Sequence, residues 1–109
     1  MLQKQYRLPG AVRLTSTSSF RSSIFLLKVS SNGLKHSRFG FIVRKTVDKR
    51  ATVRNRIRRV FRSVIEEMQQ TIKPGYDMLF FLTGQLLEMK REALYNELHE
   101  FLKEKNYLQ

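Results

Sequence analysis

The sequence predicts an α/β (α+β) two-layer sandwich, a small mixed sheet with helices on one side, formed by residues 1–109 as a single domain. Three observations carry that expectation. Residues 24–29 and 38–45 alternate with the period of a strand, residues 53–72 repeat with the period of a helix, and a dense apolar run at 76–82 precedes a second helical stretch.

Residues 1–23 are weakly patterned, with a turn signal at Pro9-Gly10 and a polar stretch from Thr15 to Ser19, so residues 1–22 stand apart from the rest as an atypical N-terminus with room for disorder. In the first strand Phe25, Leu27 and Val29 point one way, while Ile24, Leu26 and Lys28 point the other. Ser31-Asn32-Gly33 offers a turn. In the second strand Phe39, Phe41 and Val43 form one face; Arg38, Gly40, Ile42 and Arg44 form the opposite one. The helix then gathers Val53, Ile57, Val60, Phe61, Val64, Ile65, Met68 and Ile72 on one side, with Thr52 as its N-cap and Lys73-Pro74-Gly75 as its stop. Tyr76 to Leu82 reads as a central strand buried on both faces. Thr83-Gly84 breaks the pattern, and a last helix from Leu86 to Lys105 carries the stripe Leu87, Leu94, Leu98, Phe101 and Leu102. Acids dominate its exposed side, which suits a packing element better than an anion-binding one.

Composition narrows the function classes. The 109 residues are 41% hydrophobic, enough for a modest core, and contain no cysteine, which excludes disulfides, thiolate metal sites and a cysteine nucleophile. The longest apolar run, Met78 to Leu82, is far short of the roughly 20 residues that span a bilayer. Met1 to Arg7 is followed by no apolar segment of the kind that directs secretion, so a cytoplasmic location is expected. Net charge is +12, and it is unevenly placed. The first 62 residues hold sixteen basic side chains against one acid, Asp48; the remaining 47 hold five against eight. Such asymmetry points to a polyanionic partner, nucleic acid first and an anionic membrane surface as the competitor.

The densest charge lies on the first helix. At about 100° per residue, Asn55 falls opposite the apolar stripe with Arg58, Arg59 and Arg62 on the same outward half, and Arg54 and Arg56 flank the stripe. Arginine's planar fork bridges phosphate oxygens in a way a lysine cannot. The bland alternative is a solvated basic face. No catalytic constellation accompanies it: His36 reads as a solvated loop residue, His99 as a helix-surface side chain, Asp48 and Asp77 are separated, and Glu66-Glu67 are helix-surface charges.

The stretch Arg38-Phe39-Gly40-Phe41-Ile42-Val43-Arg44-Lys45, followed by Ala51-Thr52-Val53-Arg54-Asn55-Arg56-Ile57-Arg58-Arg59, resembles the protein subunit of bacterial ribonuclease P. The Arg-Asn-Arg triplet, the Arg-Phe-Gly-Phe strand and the order of the later elements extend the likeness over about residues 22–105. The resemblance implies a left-handed strand–helix–strand crossover carrying the Arg-Asn-Arg helix, against the usual hand. It also implies that Arg50, Arg54, Asn55, Arg56, Arg58, Arg59 and Arg62 bind the catalytic RNA subunit, and that Leu26, Lys28, Ile42, Arg44 and Lys45 bind the 5′ leader of precursor tRNA. Catalysis would belong to the RNA, which would hold the Mg²⁺, with no cofactor, metal or catalytic residue in this chain and no membrane or DNA partner. The N-terminus departs from the pattern. The family begins with a short helix bearing two phenylalanines four apart, whereas Arg7 to Leu14 is about one turn too short and lacks the pair. Two other readings are a ribosomal or other structured-RNA-binding protein, and a DNA-binding regulator; the second lacks the short helix that helix-turn-helix geometry requires.

Overall fold

The computed structural model describes residues 2–9, 14 and 17–109. Gly10 of the expected turn, Ala11 to Arg13, and Thr15-Ser16 of the polar stretch lie outside them. Four strands, β1 (Ser18–Arg21), β2 (Phe25–Ser31), β3 (Arg38–Ile42) and β4 (Tyr76–Leu82), form one sheet in the order β1-β2-β4-β3. β1, β2 and β4 are antiparallel neighbours, while β3 runs parallel to β4 and reaches it through the helix α1 (Ala51–Met68). A second helix, α2 (Arg91–Glu104), follows β4.

Both helices cover the same sheet face. Phe25, Leu27, Val29, Phe39, Met78, Phe80 and Leu82 meet Ile57, Phe61, Val64, Ile65 and Met68 from α1 and Leu94, Leu98 and Leu102 from α2. At the centre the rings of Phe25, Phe61 and Phe80 are all buried, with centroids 4.9–5.8 Å apart. Such pairs add about 0.5–1.5 kcal/mol each beyond the area they bury.

Several boundaries differ from the pattern reading. Ser18–Arg21 is a strand despite its polar composition, because it completes the hydrogen bonding of β2 and turns Phe20 onto Tyr107. Ile24 lies in the turn before β2 rather than on the outer face, and is 2% exposed. β3 ends at Ile42 rather than at residue 45. α1 starts one residue before Thr52: Arg50 occupies the N-cap without a side-chain cap. It ends at Met68 in a 3-10 turn (Gln69–Thr71), and Ile72 instead pairs with Leu108. The expected last helix is two pieces, a 3-10 turn (Gly84–Glu88) and α2. On a continuous helix Leu86 would sit about 80° round from Leu94; the break lets both be buried completely. α2 closes through Asn106 at φ 67, with Tyr107 N–H donating to the Leu102 carbonyl at 2.8 Å and Asn106 N–H to that of Lys103 at 3.1 Å. This left-handed closure is favoured by glycine and tolerated by asparagine.

Residues 2–8 carry order that the sequence pattern did not show. Arg7 bridges Phe39 on the free edge of β3, Leu8 N–H donates to the Phe39 carbonyl at 2.9 Å, and Leu2 is buried. Leu8 then lies across the uncovered sheet face over Gly40. A Cβ there would sit 2.9 Å from the tip of the Leu79 side chain and 3.2 Å from Leu8, so glycine lets Leu8 settle on this face without displacing either side chain.

Candidate nucleic-acid interface

Two surfaces carry the predicted site residues, on opposite sides of the sheet. The first is the outward side of α1 with the turn that feeds it. The seven predicted groups do not behave alike. Arg56 and Arg59 are exposed and without a partner among the described residues. Arg58 donates to the amide oxygen of exposed Asn55, and the Arg62 guanidinium lies 5.9 Å over the Phe41 ring. Arg50 is paired with Asp48, donating at 3.1 Å from Nε and 3.0 Å from Nη2, while Asp48 Oδ1 also accepts the Arg50 backbone N–H at 2.8 Å. The hydrogen bonds from Arg50 hold the Asp48 carboxyl at about 2, well below the usual carboxylate range. Arg54 turns back from the row: its Nη1 donates to the carbonyls of Asp48 at 2.9 Å and Lys49 at 2.8 Å.

The second surface is the sheet face away from the helices. Register sets Arg21, Leu26, Phe81 and Ile42 in one row across all four strands, and Ser19, Lys28, Leu79 and Gly40 in the next. Phe81 is half-buried, as is Leu79, so β4 is covered on one face only. The expectation of burial on both faces fails because α1 and α2 both pack on the other side. Lys28 Nζ stands 5.4 Å and Arg44 Cζ 5.0 Å from the Phe81 ring centroid. Arg21, Leu26, Ile42, Arg44, Thr46 and Phe81 help line a groove of about 340 Å³. Ile42 is 37% exposed, one of two large apolar side chains so open among the described residues. Of the predicted leader residues, Leu26, Ile42 and Arg44 therefore share this groove; Lys28 adjoins it through Phe81, and Lys45 is exposed outside its lining.

Phe81 is the residue that sequence reasoning missed. Half of its signal was available: a two-layer sandwich leaves one face of a central strand uncovered, but which of Phe80 and Phe81 takes that face follows only from where the helices pack.

The next row closes the face. Asp77, 4% exposed, accepts from Arg38 Nε at 2.8 Å and Nη2 at 2.7 Å, and from Asn32 Nδ2 at 3.0 Å. Burial pushes the Asp77 carboxyl up, but the hydrogen bonds from Arg38 and Asn32 outweigh it, and the net displacement is downward. His36, expected as a solvated loop residue, packs edge-on against Tyr6 with centroids 5.5 Å apart. His99 stacks on Tyr95 on α2. Among the described residues no three His, Asp or Glu side chains converge as a metal site, and no helix is long and apolar enough to cross a membrane.

Comparison with known proteins gives a consistent family. The Ribonuclease P family model matches residues 11–106. The ribonuclease P protein component of a Synechocystis strain is 35% identical over 104 residues, covering 85% of this chain and 84% of that protein. The component of an Azoarcus strain is 33% identical over 102 residues, covering 84% of each. Among solved structures, the RNase P protein from Staphylococcus aureus superposes with a TM-score of 0.73 at 23% identity, covering 100% of this chain and 96% of that one. The protein from Thermotoga maritima gives 0.73 at 22% identity, covering 82% and 84%.

Proposed function

The chain belongs to the ribonuclease P protein family, and from that premise we propose how its two surfaces divide the work of the holoenzyme. As the protein component of a tRNA-processing endoribonuclease, it acts with an RNA subunit in removing 5′ leaders from precursor tRNAs. In the reading proposed here the RNA subunit holds the catalytic Mg²⁺ and performs the cleavage, in the cytoplasm. The outward side of α1, with Arg56 and Arg59 at its centre and Arg50, Asn55, Arg58 and Arg62 around them, lies against the RNA subunit. The open sheet face takes the single-stranded leader.

The observation that carries this division is the Phe81 ring flanked by Lys28 and Arg44 on a face that neither helix covers. Single-stranded RNA needs a π-surface for its bases and cations for its phosphates, and that combination is present in one place. Arg56 and Arg59, the exposed arginines at the centre of the α1 surface, make no ring contact among the described residues, which suits the backbone of a folded RNA. The protein then contributes by holding the substrate and screening RNA–RNA repulsion. At low Mg²⁺, adding the protein to its cognate RNA subunit should restore cleavage of a precursor tRNA at the 5′ end of the mature sequence. A folded protein that binds the RNA and leaves the rate unchanged would refute the reading.

A further inference from the structure

The two arginines of the Arg54-Asn55-Arg56 triplet differ in what they touch. Arg56 is exposed, with no partner among the described residues. Arg54 is half-buried, and its guanidinium is committed to the backbone that precedes its own helix, donating to the Asp48 and Lys49 carbonyls at 2.9 and 2.8 Å. These are the last two carbonyls before the N-cap, and α1 has no side-chain cap to fix its start. What fixes it is a reciprocal clamp. Asp48 accepts the Arg50 N–H and guanidinium, and Arg54 holds the carbonyls of Asp48 and Lys49 from one turn further on. Charge-assisted bonds of this kind are about twice as strong as neutral ones.

The clamped segment is itself strongly basic. Arg44 and Lys45 lead into it, and Lys49 and Arg50 lie in it, both exposed. Without the clamp, a short segment crowded with like charges would spread, and its cations would have to be ordered when RNA binds. We propose that Arg54 is a positioning residue: it serves RNA binding by holding the 48–50 turn so that Lys49 and Arg50 stand in line with Arg56 and Arg59, and it makes no phosphate contact of its own. The inference rests on the proposed role of α1 in binding the RNA subunit.

Two measurements test it. In the free protein, Arg54→Ala should speed exchange of the Arg50 amide, which donates to Asp48 Oδ1, while Arg56→Ala leaves that amide unchanged. Unchanged exchange in Arg54→Ala would overturn the clamp. The second is a double-mutant cycle on binding to the RNA subunit, with Lys49→Ala/Arg50→Ala as the background. In the wild-type background both Arg54→Ala and Arg56→Ala should weaken binding, each by about tenfold. In the Lys49→Ala/Arg50→Ala background, Arg56→Ala should retain its effect and Arg54→Ala should fall below about twofold. Equal losses from Arg54→Ala in both backgrounds would make it a direct contact and refute the proposal. Failure of the wild-type protein to bind the RNA would refute the functional reading instead.

Discussion

The two faces of β4 are built from one run of apolar residues, yet they do opposite things. Met78, Phe80 and Leu82 sit under two helices at 0–3% exposure, whereas Leu79 lies half-buried beside Gly40 and Phe81 looks out between cations from β2 and the segment after β3. Hydrophobicity alone does not separate Phe80 from Phe81. Position does: one more residue along a strand reverses the direction of the side chain, and α1 and α2 both cover the same side of this sheet. An apolar ring left on the uncovered side and flanked by Lys28 and Arg44 is the feature on which the proposed leader site rests.

The sharpest way to break that contrast is to truncate each ring. Phe80→Ala should cost about 3–5 kcal/mol in a urea titration, since it opens a cavity among Phe25, Phe41 and Phe61. Phe81→Ala should change stability by less than about 1 kcal/mol, and instead weaken a leader-bearing substrate by about 1–3 kcal/mol while sparing a leaderless one. Similar stability losses from both would show that the second face is also core.

A smaller effect is expected where the open face ends. Asp77→Asn leaves Arg38 without its carboxylate and should cost about 2 kcal/mol at pH 7. The Asp77 carboxyl titrates below its ordinary value in the folded chain. Its stabilisation is therefore complete above the unfolded value of about 3.9 and is lost as pH falls below it through the folded value. Urea midpoints of wild type and Asp77→Asn should converge as the pH is lowered into that range; a constant gap would contradict the pairing. The smallest effect belongs to the helical side. Arg91 ties α2 to α1 through Glu67 at 2.7 Å and the Ser63 carbonyl at 3.1 Å, but it is exposed, so Arg91→Ala should cost no more than about 1 kcal/mol in thermal denaturation.

Much of this was legible in the residues. The periods of β2, β3 and α1 follow from side chains that each meet one environment, apolar below and polar above; helix geometry placed Asn55 and Arg59 on the exposed side, whereas Arg58 and Arg62, expected beside them, are half-buried and Arg56, expected at the border of the stripe, is exposed. Three features were hidden for distinct physical reasons. β1 is polar in composition, and only the need of β2 for a partner makes it a strand. β4 has no alternation to read, since both faces are apolar and only the arrangement of helices distinguishes them. The inward turn of Arg54 depends on a backbone path that periodicity does not encode, and an arginine bound to two carbonyls has the same sequence signature as one bound to a phosphate. The packed residues 2–8 likewise depend on a long-range contact, Leu8 over Gly40, that neither segment announces alone.

The sheet order has a consequence for how the chain is made. β4 is the last strand in sequence and a central one in space, pairing with β2 on one side and β3 on the other. Until residue 82 has left the ribosome, β3 and α1 lack the strand they close against, while the first 62 residues, with sixteen of the 21 basic side chains, are already made. Closing the β3–α1–β4 crossover is a non-local step of the slow kind. The acidic last third thus arrives after the basic segment is already exposed, and its docking ends an interval in which any nearby RNA competes with folding.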